Sequence, residues 1–366
     1  MCGLPKGFEM GKLKVGVVGG GHIVTYRHLP VFQKIKHVKV AAVCDKNEST
    51  AKNVARRFGI DHYYNDLSAM LKEKLDVVDI CTPIQTHAQL AMEAMESGCH
   101  VLVEKPLAMS VEDVDRMYEV ADKKHAKLCV VHQNIFNSIV RKAKRLVDEG
   151  AVGDLVSVDV GTFVTRDYQL CLDKNHWCHK LPGGIFFETI PHPVYLLQLF
   201  LGKIEPTCVI AEKLHFSWMK ADEIKVLIKA KKSAGSLMAS CNPPYHGDTL
   251  NIVGTKLGLQ VDLWARSMIK YGRRTESPYS IGKSNLGIAR QSFGLIGTTV
   301  KNALTMATGG VKVSAHYGFI QEFLNSVVND TEPPVSRNEA RETVRVVAEI
   351  CNAVDKVSQP AKPQGD

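Results

Sequence analysis

A chain of 366 residues is longer than one hydrophobic core usually supports, so two domains are expected. Its 45% hydrophobic and 23% charged content is that of an ordinary globular protein, and no apolar run reaches the roughly 18 residues that would span a bilayer. The net charge of +8 is mild but uneven: Arg266–Lys312 carries eight basic residues against Glu276 alone, so the rest is nearly neutral.

Residues 1–12 read as a flexible tail without the apolar core of a secretion signal, and Met10 could serve as the start. The ten cysteines follow no regular spacing, which fits free thiols in a reducing cytoplasm. A short apolar strand, Lys14–Gly19, runs into Gly19-Gly20-Gly21-His22-Ile23-Val24, and a helix follows toward Pro30. Glycines at such a turn let main-chain amides approach a pyrophosphate, whose charge a helix N-terminus favours. The second strand, Val38–Cys44, ends at Asp45, 26 residues after Gly19. That is the place of an acid that binds the adenosine ribose, which favours NAD and leaves NADP open, because Lys46 is adjacent. The alternative role for Asp45 is N-cap of the helix that begins near Glu48.

Further strand–helix units follow: Leu75–Cys81, broken by Thr82-Pro83, with a helix over His87–Ser97, and His100–Val103 with a helix over Val111–Lys124. A last strand spans Lys127–Gln133. This alternation predicts a doubly wound parallel sheet, a Rossmann domain over 13–134. The strand His100–Val103 ends in Glu104-Lys105-Pro106. Proline stops it there, which puts a lysine at the carboxyl edge of the sheet, where ligands of such folds bind.

The succession Val18-Gly19-Gly20-Gly21, Thr82-Pro83 with His87, and Gly98–Ala108 around Glu104-Lys105-Pro106 resembles the glucose–fructose oxidoreductase/inositol 2-dehydrogenase (Gfo/Idh/MocA) family of NAD(P)-dependent oxidoreductases. The resemblance implies that Gly19, Gly21, His22, Ile23, Asp45, Thr82, Pro83, His87, Glu104 and Lys105 serve the cofactor. It also implies that Lys105 lies beside the nicotinamide and the reacting hydroxyl.

Beyond a helix over Val140–Glu149, short strands at Leu155–Val164, Thr207–Leu214, Ile224–Ala230, Ser236–Ser240 and Leu257–Leu263 predict an antiparallel or mixed sheet. The expected fold is therefore α/β: an N-terminal Rossmann sheet plus a C-terminal α+β domain, 135–366, with a large open, mainly antiparallel sheet. The second domain includes the basic insert 265–312 and a C-terminal helix over 338–357. In the family this sheet carries the substrate pocket on one side and subunit contacts on the other, which implies a homodimer or homotetramer.

In Gly183–His192, Glu188 and His192 stand four apart, on one face if Glu188 opens the helix leading to Leu201. A carboxylate holding one ring nitrogen would leave the other to take a proton, and oxidising an alcohol requires such a base. The family has aspartate, three residues, then histidine here, so the resemblance makes His192 the general base. Glu188 departs from it by one methylene, and Tyr195 stands where a second aspartate is frequent. Asn134 and Gln133 either contact substrate or end the last strand. Cys171, His176, Cys178 and His179 lack the spacing of a zinc site, so no metal is expected and the segment reads as a loop presenting Trp177.

Within the basic stretch, Leu286, Ala289, Phe293, Ile296, Val300 and Ala303 recur at helical spacing. Three readings stand: a packed helix, a lid over an anionic substrate, and a membrane-surface helix, of which membrane contact is the least expected. Nucleic acid is not expected, since no stacking surface accompanies the charge. The sequence thus points to a cytoplasmic dehydrogenase of a sugar, polyol or sugar derivative, which could be anionic. A non-catalytic dinucleotide sensor and a lyase or glycosidase that uses NAD transiently are the alternatives.

Overall fold

The computed structural model describes residues 12–273, 275–309 and 314–357. The tail through residue 11, Arg274 and Lys312 lie outside the described residues. Two compact units emerge: one holds the chain through Ala108, Glu112–Val131 and His316–Arg337, the other Met109–Val111, His132–Ala315 and the chain from Asn338. The segment His316–Arg337, which reads in sequence as part of the second domain, therefore belongs with the first unit.

In the first unit, β1 (Leu13–Val18), β2 (Val38–Cys44), β3 (His62–Tyr64), β4 (Val77–Ile80), β5 (His100–Val103) and β6 (Leu128–Val130) form one sheet. Their order is β3-β2-β1-β4-β5-β6 and every pairing is parallel. The order reverses between β1 and β4, the switch point where open α/β sheets bind ligands. All of β4 and the last three residues of β5 are buried, as expected of a sheet covered on both faces. β3 is a strand the sequence reading passed over, because its residues are part-exposed and show no apolar run. The stretch after the glycine turn is a π-turn, Val24–His28, running into the short helix Leu29–Phe32. The helix Ala315–Asn329 buries Phe319, Ile320, Phe323 and Leu324 in this unit, and Lys127–Asp330 and Arg337–Asp122 ion pairs fasten its segment at the rim.

The second unit contains β7 (Leu155–Phe163), β8 (Ile204–Glu212), β9 (Glu223–Ala230), β10 (Ala234–Ser240), β11 (Gly247–Gly254), β12 (Gly258–Asp262) and β13 (Ser267–Tyr271). Their order is β13-β12-β11-β7-β10-β9-β8, antiparallel except for the β7–β10 pair. The helix Pro191–Leu201 is apolar nearly all round and packs against β7, β8 and β10. Val156, Ile210, Leu227 and Val253 stay exposed on the strands of this sheet.

The helix Arg337–Val357 buries Val344, Val347, Ile350, Cys351 and Val354, a stripe at helical spacing. It also holds the loop that leads to His192. Asp355 accepts the Gly183 N–H at 3.0 Å and pairs with Lys220 at 2.8 Å. Gly183 has φ +64°, and a Cβ there would stand 2.8 Å from the main chain of Cys351. Only glycine meets both demands.

Gly183→Ala should therefore lower the stability of this unit by about 1–3 kcal/mol. Trp177, Trp218 and Trp264, the only three tryptophans, all lie in it, so urea unfolding followed by tryptophan fluorescence reads it alone. An unchanged midpoint would show that the left-handed conformation is not required.

Candidate active site

The glycine turn is built by close approach. Gly19 has φ +103°, and a Cβ on it would meet the Cys81 carbonyl oxygen at 2.5 Å. Asp45 then ties the turn to the end of β2, its carboxylate accepting the Gly20 N–H and the Asn47 N–H, each at 2.8 Å. The helix Glu48–Phe58 is capped by Asn47, whose side chain accepts from Ser49 and Thr50, so the cap role falls two residues beyond Asp45. Nothing lies within 4 Å of where a Cβ on Gly21 would stand, so the main chain is open to a phosphate there. His22 is exposed and stacks on Tyr26, and Ile23 is part-buried beside it. A carboxylate offers about four acceptor positions, so Asp45 keeps capacity for a ribose. The turn, Asp45 and the helix start behind them fit a dinucleotide.

His87 joins the two loops at the carboxyl edge. It is buried, with Nε2 2.8 Å from the Thr82 carbonyl and Nδ1 2.9 Å from the Pro106 carbonyl. Burial pulls its pKa below the ordinary value, and the two carbonyls oppose that pull. It thus clamps Thr82-Pro83 to Glu104-Lys105-Pro106, whose Lys105–Pro106 peptide bond is cis. Thr82 hydroxyl meets that of Thr86 at 2.7 Å, which closes the same loop.

Beneath Lys105 lies a network that sequence reading missed. His28, fully buried, places Nδ1 2.8 Å from Asp79 and Nε2 2.9 Å from Glu104. Burial disfavours its charge, yet the neighbouring Asp79 raises its pKa well above the ordinary value. Burial likewise opposes ionisation of Glu104, but the hydrogen bond and charge of His28 hold it down at about 2. Glu104 also accepts the Lys105 N–H at 3.1 Å. The His316 ring stands 5.9 Å from that of His28; burial pushes its pKa down to about 3, so it is neutral. Cys81 completes the group at 3.5 Å from both His28 and Asp79, and burial keeps it a thiol. His28, Glu104 and His316 would also suit a metal by spacing, but both nitrogens of His28 already serve carboxylates. An imidazolium between two carboxylates leaves one net negative charge, which the Lys105 ammonium offsets. The available signals were an aspartate inside the apolar strand Val77–Ile80 and a histidine on the first helix.

In the second unit the expected helix from Glu188 to Leu201 is broken. Glu188 lies in the short turn Phe186–Thr189, and Pro191 opens a new helix that carries His192. His192 Nδ1 lies 2.9 Å from the Tyr195 hydroxyl, which accepts the Asn134 main-chain N–H at 3.2 Å. Tyr195 is buried and stacks on His132 with centroids 4.2 Å apart. Asn134, Tyr195 and His192 therefore form one linked group, with Asn134 contributing through its main chain. Trp177 sits in a part-buried turn that His176 caps. His176 meets the Cys178 sulfur and His179 the Leu170 carbonyl, and no group of three metal donors forms there among the described residues.

The buried triad sets a pH signature. Glu104 is depressed from 4.5, so its contribution to stability is present above 4.5 and lost as pH falls toward about 2. His28 is raised from 6.5, so its contribution is complete below 6.5 and lost as pH rises through the higher folded value. Urea midpoints followed by far-UV circular dichroism should lose this two-sided component in His28→Gln, most of all between those limits. A variant profile parallel to that of the wild type would refute the ionised triad.

A family profile described as an oxidoreductase family with an NAD-binding Rossmann fold matches residues 13–132, and the GFO/IDH/MocA C-terminal domain profile matches 140–260. Levoglucosan dehydrogenase of Pseudarthrobacter phenanthrenivorans is 35% identical over 162 residues, 40% of each chain. Myo-inositol 2-dehydrogenase of Thermotoga maritima is 28% identical over 52% of this chain and 55% of its own. The chain spans about half the length of the curated relatives it matches. The WlbA dehydrogenase from Bordetella pertussis, solved in complex with NADH and UDP-GlcNAcA, gives a TM-score of 0.75 at 21% identity. That match covers 94% of this chain and 96% of the other, and it bears on the fold. With both domain profiles matched in order over the two units, the chain belongs to the Gfo/Idh/MocA oxidoreductase family, whose first domain is an NAD-binding Rossmann fold.

Proposed function

We propose that the protein is an NAD-dependent oxidoreductase that interconverts a hydroxyl and a keto carbon of a sugar, polyol or sugar derivative. The observation that carries this reading is Lys105, set at the carboxyl end of β5 on a buried, charge-balanced base of Glu104, His28 and Asp79. A lysine that served only solubility would need no such support. The names of the relatives, a levoglucosan and an inositol dehydrogenase among them, agree with a sugar-like substrate.

Gly19–Ile23 and Asp45 would hold NAD, with Thr82, Pro83, His87 and Glu104 shaping the nicotinamide end. When bound, NAD supplies the hydride acceptor. Lys105 binds the substrate hydroxyl and stabilises the negative charge that grows on its oxygen as the proton leaves. His192 takes that proton at Nε2. For this Nδ1–H must donate to the Tyr195 hydroxyl, which can accept it beside the Asn134 N–H, because a phenol oxygen has two lone pairs. Glu188 adds negative charge near the start of the same helix. Exposed Val156, Ile210, Leu227 and Val253 support a homo-oligomer through the second sheet. The nine described cysteines are all free, which accords with a reducing compartment.

Lys105→Met and His192→Asn should each lower kcat by roughly 10²–10⁴-fold while leaving NAD affinity, read by fluorescence titration, nearly unchanged. Full turnover of candidate sugars by either variant would sink the mechanism. Asp45→Ser should weaken NAD more than NADP; equal losses would mean that Asp45 only braces the turn.

A further inference from the structure

The 32-residue helix Pro278–Gly309 is turned the wrong way round for a packed helix. The side it sets against its own unit is mainly polar, with Leu295 the apolar residue among its half-covered positions. Gln291 accepts the Lys270 N–H at 2.7 Å and donates to the Lys270 carbonyl at 3.0 Å, and Asn302 donates to the Ala265 carbonyl at 3.1 Å. Through Gln291 the helix covers the backbone of β13, the edge strand of the second sheet. Ser284, Leu295, Thr298 and Thr305 share this half-covered side. The opposite side is apolar and bare: Tyr279, Leu286, Phe293 and Val300 recur every seven residues, joined by Ile296 and Leu304. Leu286 is 74% and Phe293 77% exposed.

The charges follow the same geometry. At 100° per residue, Lys283, Arg290 and Lys301 fall in one row between the apolar stripe and the docked side. The helix carries no acidic residue. Gly282, Gly287, Gly294 and Gly297 each cost about 1 kcal/mol against alanine, and the docked side, half-covered and mainly polar, buries little to offset them. A helix so built needs a cover for its outer face. A second copy would bring cations against cations with no carboxylate to pair them. An anionic lipid surface answers both features, because it takes the apolar stripe into the acyl boundary while lysine and arginine reach back to the headgroups.

We propose that the helix Pro278–Gly309 lies on an anionic membrane surface and holds the protein there peripherally. No described helix is long and apolar enough to cross a bilayer, and the apolar width of this one suits lying in the interface plane. The sequence reading ranked membrane contact last because spacing alone does not show which side of the helix faces the protein. The inference is independent of the proposed activity.

The test is flotation of the full-length protein with two sets of vesicles, phosphatidylcholine alone and phosphatidylcholine mixed with phosphatidylglycerol, together with light scattering. Wild type should float with the phosphatidylglycerol vesicles and far less with phosphatidylcholine alone, an effect that added salt weakens. Leu286→Glu with Phe293→Glu should abolish flotation. Should that pair fail to fold, the exposed triple change Lys283→Ser, Arg290→Ser and Lys301→Ser should lower partitioning by roughly 10²-fold, near a fivefold loss for each cation. Far-UV circular dichroism and NAD affinity, unchanged in the variants, exclude unfolding. Wild type that stays unbound with both vesicle sets overturns the proposal, as does flotation equal in wild type and variants. A mass that drops from dimer to monomer in the Leu286→Glu/Phe293→Glu variant, without flotation of the wild type, assigns the face to a second copy instead.

Discussion

A buried imidazolium between two carboxylates is the constraint on which the first unit turns. Three charges out of water are expensive, and their mutual attraction recovers that cost only with good geometry. Here the geometry is good, since each ring nitrogen of His28 points at a different acid within 2.9 Å. Those acids belong to β4 and to the end of β5, while His28 stands on the helix that leaves the glycine turn. One ring thus joins the phosphate turn, the central strands and the peptide that bears Lys105. Removal of His28 leaves two buried carboxylates without their shared cation, at about 3–5 kcal/mol. The arrangement therefore contributes placement more than net stability.

Placement is what the proposed chemistry needs. An ammonium that stabilises a developing alkoxide acts through position, and it acts best when no reorganisation is required at the moment of reaction. Glu104 spends both its oxygens on this, one toward His28 and the other toward the Lys105 N–H. His87 grips the other side of the peptide through the Pro106 carbonyl. The Glu-Lys-Pro tripeptide is thus fixed from both sides by histidines of opposite character, one charged by its acids and one kept from charge by burial.

How much of this could be read from the chain follows from the range of each interaction. The strands of the first sheet are legible because a parallel sheet buries both faces and so shows plain apolar runs. β3 escapes because it is three part-exposed residues at an edge, and β11 because glycine, aspartate and asparagine interrupt its pattern. The glycine turn, Asp45 and the Glu-Lys-Pro peptide are local, and sequence order suffices to find them. His28 is another matter, because its partners lie 51 and 76 residues away. A histidine on a helix and an aspartate in an apolar strand are each unremarkable until the fold brings them together. His316 lies further still along the chain, in a segment whose return to the first unit no local pattern announces.

The same limit explains the helix Pro278–Gly309. Its period was readable, but period gives two faces without saying which is inward. Burial of apolar surface normally decides, and the apolar side turns inward. Here the inward side had to satisfy an edge strand, whose unpaired N–H and carbonyl of Lys270 call for an amide and not for a leucine. Gln291 meets that demand, and once it faces β13, Leu286, Phe293 and Val300 are forced outward by helical geometry. The exposed stripe is therefore the consequence of an edge strand closed by a polar side chain. What remains for it to bury against must lie outside the unit.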